Sequence, residues 1–174
     1  MTSSIQRFTK THAAQLSAIS QKTFYDTFTG TCTEEDMQWF LSKYFNEESL
    51  HNELDNENFY CYAAFVNNEI AGFIKFKESS EHFTEPLNLK SLELKSLYVH
   101  TPYHGKGVAQ QLMNCILQHA QTFAYKLIYL SVWEYNFKAQ TFYKKFGFED
   151  SGYQNDFPIG NTPQTDFWYW KQLV

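Results

Sequence analysis

The stretch Leu97-Tyr98-Val99-His100-Thr101-Pro102-Tyr103-His104-Gly105-Lys106-Gly107-Val108-Ala109 decides how this chain is read. A strand runs into it from about Leu92 to His100, Pro102 stops that strand, and Gly105-Lys106-Gly107 opens a helix. Val108, Leu112, Cys115, Ile116, Ala120 and Phe123 then recur at spacings of three and four, which predicts a helix to about Ala124. The first turn of a helix leaves backbone N–H groups unpaired at the positive end of its dipole. Small residues at Gly105, Gly107 and Ala109 let a phosphate chain lie against the main chain, and Lys106 adds a charge. Glycines so placed also simply make turns, so the motif points to an anion without identifying it. It is not a P-loop, because the sequence holds no Gly-Lys-Ser/Thr triplet, and a dinucleotide GxGxxG fails because position 110 is Gln110.

Downstream, Leu127 to Val132 reads as a strand and Asn136 to Phe146 as a helix stopped by Gly147. Asn136 suits a helix cap, and Ala139, Phe142 and Phe146 suit packing against a sheet. Tyr143 lies about two turns beyond Asn136 on the same helix side. Its phenol either faces a mouth between strands or packs in the core. Lys138, Lys144 and Lys145 are either solvated or meet a ligand phosphate. Phe148 to Asn155 and Asp166 to Leu173 close the chain as strands, separated by Pro158-Ile159-Gly160-Asn161.

Upstream, Ile5 to Thr9 is a strand, followed from about Thr11 by a helix with Leu16, Ile19, Phe24 and Phe28 on its apolar face. Gly30-Thr31-Cys32 interrupts it. Thr33 then caps a second helix, with Asp36 as its acidic partner and Met37, Phe40, Leu41, Tyr44 and Phe45 as its buried stripe. Asn46 to Asn58 has room for one more short helix. Phe59 to Val66 and Ile70 to Lys77 form a hairpin about Asn67-Asn68-Glu69, and Ser79 to Asn88, with Phe83 and Pro86, reads as a loop. The resulting order, β-α-α-β-β-β-α-β-α-β-β, predicts one α/β domain over residues 1–174, a mixed sheet with helices on its faces.

Composition narrows the partners. At 174 residues with 43% hydrophobic and 19% aromatic residues, a sizeable core can form and disorder is excluded as the main state. No apolar run is long enough to span a membrane, and Met1 to Arg7 does not resemble a secretory signal. The formal net charge is -5 and Arg7 is the sole arginine, which argues against nucleic-acid binding. Asp26, Glu34, Glu35, Asp36, Glu47, Glu48, Glu53, Asp55 and Glu57 face only Lys43 in their segment. They are either solvated helix faces or a field that attracts a cation. Cys32, Cys61 and Cys115 form no CxxC pair, which suits a reducing cytoplasm and supports no thiol nucleophile. The histidines, among them His12, His51, His82 and His119, form no metal-ligand spacing, so no metal is expected. No GxSxG elbow is present either. Glu93, ahead of the middle strand, is either a surface carboxylate or a proton acceptor.

Tyr98 to Ala109 and Asn136 to Phe148, in this order and at this distance, resemble the two motif blocks of the GCN5-related N-acetyltransferase superfamily. The element order resembles that family along nearly the whole chain. Glu93 to Val99, His104 to Gly107, Val132-Trp133-Glu134-Tyr135-Asn136 and Gln164-Thr165-Asp166 look closer still to the PaiA-like polyamine acetyltransferases. One departure is His104, where the family usually has Arg or Gln. The resemblance implies a central sheet splayed into a V and acetyl-CoA as co-substrate. It places pantetheine against the main chain of Leu97 and Val99, with Asn136 on the same arm. The pyrophosphate falls to His104, Gly105, Lys106, Gly107, Val108 and Ala109, with Lys138 or Lys145 on a phosphate. Direct attack by an amine would be assisted by the Leu97 or Tyr98 amide on the oxyanion, Tyr143 as acid and Glu93, through water, as proton acceptor. A small-molecule amine, spermidine or spermine among them, is the expected acceptor. Acetylation of a protein amine and a silent acetyl-CoA sensor stay open, as does a homodimer built on the Trp168-Tyr169-Trp170 strand.

Overall fold

Strand propensity and hairpin turns resolve into a single sheet in the computed structural model, which describes residues 3–79, 81, 84 and 87–173. Its strands are β1 (Ser3–Phe8), β2 (Phe59–Val66), β3 (Glu69–Glu78), β4 (Ser91–Val99), β5 (Leu127–Trp133), β6 (Glu149–Asp156) and β7 (Thr165–Gln172). They lie in the order β1-β2-β3-β4-β5-β7-β6. The helices are α1 (Ala13–Phe28), α2 (Glu34–Tyr44), α3 (Glu47–Asp55), α4 (Val108–Thr122) and α5 (Phe137–Lys145). Of the stretch read as a loop, residues 80, 82, 83, 85 and 86 lie outside the described residues, Phe83, Pro86 and His82 with them.

Neighbouring strands are antiparallel except β4 and β5, which run parallel and pair only over Ser91–Glu93 against Leu127–Tyr129. Beyond Glu93 the two separate. β4 stays with β3, while β5 zips onto β7 as far as Trp133 opposite Asp166. A bulge in β4 opposite Lys75 and Phe76 accompanies the parting. The expected V is thus formed by two strands that each keep only their outer partner.

Each face of the sheet carries its own core. Leu112, Met113 and Ile116 of α4 and Tyr143 of α5 pack on Ile74, Phe76, Leu92, Leu94 and Tyr169. On the other face α1, α2 and α3 bring Leu16, Phe24, Phe28, Met37, Phe40 and Leu50 onto Phe8, Cys61 and Phe73. Burying each of these large side chains contributes about 1.5–3 kcal/mol, and the two cores clamp the sheet from both sides. Phe24 stacks on Phe28 and Phe40 at centroid distances of 4.4 and 4.6 Å, which fixes α1 against α2.

Local chemistry adjusts the element boundaries. A short 3-10 turn, Lys10–His12, precedes α1, because the Thr9 amide donates to His12 Nδ1 at 3.1 Å. The helix therefore starts at Ala13 rather than near Thr11. Asn46 accepts from the Ser49 amide at 2.8 Å and caps α3, so three helices separate the first two strands. Asn67 and Asn68 have φ of 52° and 65°, the backbone a two-residue hairpin turn needs. Thr33 caps α2 as expected. The Asp36 carboxylate, however, bonds the Asn161 amide and the Thr162 hydroxyl, both at 2.8 Å, and pins the β6–β7 connection onto α2.

Candidate active site

A cavity of about 400 Å³ opens where β4 and β5 part, walled by α1 on one side and by the start of α4 and α5 on the other. The backbone of β4 forms its floor. His100 donates its amide to Ala71 O at 2.8 Å, and antiparallel alternation then puts Tyr98, opposite Phe73, in the bonded register. The Tyr98 amide thus belongs to the ladder with β3, which corrects its expected place on an oxyanion. The N–H and C=O groups of Leu97 and Val99 point into the V instead.

The glycine turn has the geometry an anion requires. Gly105 and Gly107 have φ of 74° and 80°, and a Cβ on either would meet nothing within 4 Å, so the space beside them is open. The first bond of α4 runs from the Gln111 amide to Gly107 O, leaving the amides of Val108, Ala109 and Gln110 outside the helical ladder. His104 holds this turn rather than offering a donor to a ligand. Its Nε2 lies 2.7 Å from Val99 O, which accepts only, and its Nδ1 lies 3.0 Å from the Lys138 ammonium, which donates only. The ring is therefore the Nε2–H tautomer, and it ties β4, the glycine turn and α5 together.

From α5, Asn136 accepts the Ala139 amide at 3.1 Å on Oδ1, so its NH₂ is what it can offer the cavity. Tyr143 is 7% exposed, packs against Phe142 and Phe148, and has its hydroxyl bonded to no described residue. Burial raises its pKa and keeps it a proton donor. The Tyr98 phenol is likewise unbonded, and its pKa is raised by burial and by the charges of Tyr143 and Asp166. It projects to the α1 side, near Phe24 and Phe73.

The cavity thus brings together Leu97, Tyr98, Val99, His104, Gly105, Gly107, Val108, Ala109, Asn136, Lys138 and Tyr143. Three residues expected there are not among its lining. Lys106 is exposed, with its ammonium over the Tyr103 ring, and Lys145 is exposed at the end of α5. Glu93 is 4% exposed, before the point where the strands part, and its carboxylate is held by Lys95 at 2.8 Å and Lys77 at 3.4 Å.

Thr23, Asp26 and Thr27 of α1 line the cavity and escape a reading of that helix as core. Their spacing of three and four, on a helix whose other face is apolar, is the signal that could have found them. Of the nine acidic residues, Asp26 alone is in the lining. Glu53 pairs with Lys75, Asp55 with Lys10, Glu34 accepts from Tyr25 and Gln38, and Asp36 holds the β6–β7 connection. Four of the nine therefore have structural partners. Burial raises the pKa of all three thiols, that of Cys61 to about 12, so none is a thiolate near neutrality.

Residues 28–157 match the model of the acetyltransferase (GNAT) domain. An uncharacterised N-acetyltransferase of Lactobacillus delbrueckii subsp. lactis is 31% identical over 157 residues, 90% of each chain. A spermine/spermidine N(1)-acetyltransferase of Bacillus subtilis is 28% identical over 89 residues, 51% of this chain and 58% of its own. The fold is that of the PaiA N-acetyltransferase of Thermoplasma acidophilum, solved in complex with coenzyme A, with a TM-score of 0.80, 21% identity and coverage of 99% and 100%. With the GNAT model matched over residues 28–157 and a relative 31% identical over 90% of each chain, the chain belongs to the GNAT acetyltransferase family, as an N-acetyltransferase that uses acetyl-CoA.

Proposed function

We propose that the acceptor is a primary amine of a small cationic molecule, a polyamine such as spermidine or spermine, acetylated by direct attack on the thioester. The observation that carries this reading is the convergence of the Tyr143 hydroxyl, the open Leu97 and Val99 amides and the Asp26 carboxylate on one cavity. Two features support the cationic acceptor: Asp26 on the α1 wall, and the Bacillus subtilis relative named for spermine and spermidine.

In this mechanism Val99 and the NH₂ of Asn136 hold the pantetheine arm. The amides of Gly105, Gly107, Val108 and Ala109 receive the pyrophosphate, with Lys138 beside them, while the Lys106 amide is spent on Tyr103 O. The neutral amine then attacks the thioester carbon with its lone pair. The Leu97 N–H stabilises the developing oxyanion, fixed in place before the charge appears. As the C–S bond breaks, Tyr143 donates its proton to the leaving sulfur.

The test is coenzyme A release across spermidine, spermine, a lysine peptide and an arylamine, with a no-amine control. Saturable release with spermidine is expected, and Tyr143→Phe should lower kcat by roughly 10²-fold. Release with the lysine peptide alone would replace the polyamine by a protein amine. No release with any amine, despite binding of acetyl-CoA, would point to an acceptor outside the panel or to a sensor.

A further inference from the structure

The β5–β7 wall of the V carries a buried carboxyl group that the reaction above leaves without a task. Asp166 stands opposite Trp133 in the β5–β7 register and is 5% exposed. Trp133 packs on Phe28 of α1 at 5.4 Å, so this pair faces the α1–α2 side of the sheet, away from Tyr143. Ser131, on the same face of β5, donates its hydroxyl to Asp166 Oδ2 at 2.8 Å. The other oxygen, Oδ1, is buried and receives no hydrogen bond from any described residue. Nor does any described residue form an ion pair with it.

Its surroundings repeat the pattern. Gln164, two residues earlier, gives its Nε2 to Thr31 at 2.9 Å and keeps a buried Oε1 with no donor among the described residues. Asn155, the register partner of Asp166 on β6, has a buried Oδ1 in the same state. Buried polar atoms are normally satisfied. Three oxygens that only accept, around a carboxylate, lack a group that brings N–H donors. An ammonium or amine nitrogen is such a group.

We propose that Asp166 is a further catalytic residue, which meets the acceptor nitrogen on the α1–α2 side of the opening and takes its proton during attack. The inference rests on the reading that the chain acetylates an amine. The acceptor nitrogen forms its bond to the carbonyl carbon while one N–H proton passes to Asp166. The electron pair on oxygen returns, the C–S bond breaks, and the sulfur takes the proton of Tyr143. Exchange with water then restores both groups. Base and acid thus work from opposite faces of the sheet, Asp166 from the acceptor side and Tyr143 from the cofactor side. Neither Glu93 nor Asp166 is among the residues lining the cavity, but Glu93 is held by its two lysines, whereas Asp166 has no ion-pair partner among the described residues and shares the α1–α2 face of the sheet with Tyr98, which lines it.

Burial raises the Asp166 carboxyl to about 6 and the Ser131 hydrogen bond lowers it. The groups facing it are Ser131 of β5, Tyr98 of β4, Asn155 of β6 and Gln164, none of them cationic. The group is mostly ionised at neutral pH and able to accept a proton. Turnover that needs the ionised form rises as pH increases through that value.

The experiment measures kcat/KM against pH for wild type, Asp166→Asn and Ser131→Ala, using the best amine of the panel, with acetyl-CoA affinity measured by calorimetry. Asp166→Asn should lower kcat by roughly 10²-fold with acetyl-CoA binding intact, and the acidic limb should vanish. Ser131→Ala removes the bond that lowers the pKa, so its limb should move to higher pH. An Asp166→Asn protein with wild-type turnover, or a limb unmoved in Ser131→Ala, overturns the proposal. Should Asp166→Asn fail to fold, the Ser131→Ala shift decides alone. Wild type that binds acetyl-CoA but turns over no amine overturns the functional reading first, and this inference with it.

Discussion

His104 ties three elements together through a single ring. Both of its ring nitrogens are engaged by the protein, so neither is free for a ligand. His104→Ala would free Val99 O and the Lys138 ammonium and loosen the turn against β4. The expected result is a KM for acetyl-CoA raised roughly 3- to 10-fold, the worth of one net hydrogen bond, with kcat little changed. His104→Gln retains a donor for Val99 O and should recover part of the loss. Steady-state kinetics with acetyl-CoA as the varied substrate checks both. An unchanged KM in His104→Ala would mean that the turn holds its shape without the ring.

At the scale of elements, the contact between β3 and β4 leaves no room for a side chain at Gly72. A Cβ there would lie 2.5 Å from Tyr98 O and 3.1 Å from Val99 Cα, backbone atoms that cannot swing aside. Gly72→Ala should therefore cost about 1–3 kcal/mol and push the β4 edge out of line. Thermal denaturation and acetyl-CoA affinity should both register it, and an unchanged Tm would contradict the close approach. Local spacing made much of this region legible in advance. The glycine turn, the Asn136 cap and the helical position of Tyr143 depend on neighbours within a few residues. Whatever needed a strand partner was not legible. Which β4 amides stay open follows from the pairing with β3, and the wall that holds Asp166 follows from the register of β5 on β7. Likewise, the acidic residues read either as solvated faces or as a field, and partners such as Lys10, Lys75 and Asn161 come from elements remote in the chain.

For the molecule as a whole, the two cores clamp both faces of the sheet while its centre stays partly unzipped. Beyond Glu93, β4 has an inner edge with no neighbouring strand among the described residues. Such an edge has consequences for solvent access, residue by residue. In the free protein the amide hydrogens of Leu97 and Val99 should trade with deuterium in the solvent quickly, whereas that of Tyr98, inside the ladder, should be retained. Adding acetyl-CoA should slow the two outer positions and leave the middle one as it was. That alternating pattern, read by NMR, would reveal the ligand completing the sheet as a strand does. Three amides exchanging alike would show that the edge is not open in solution.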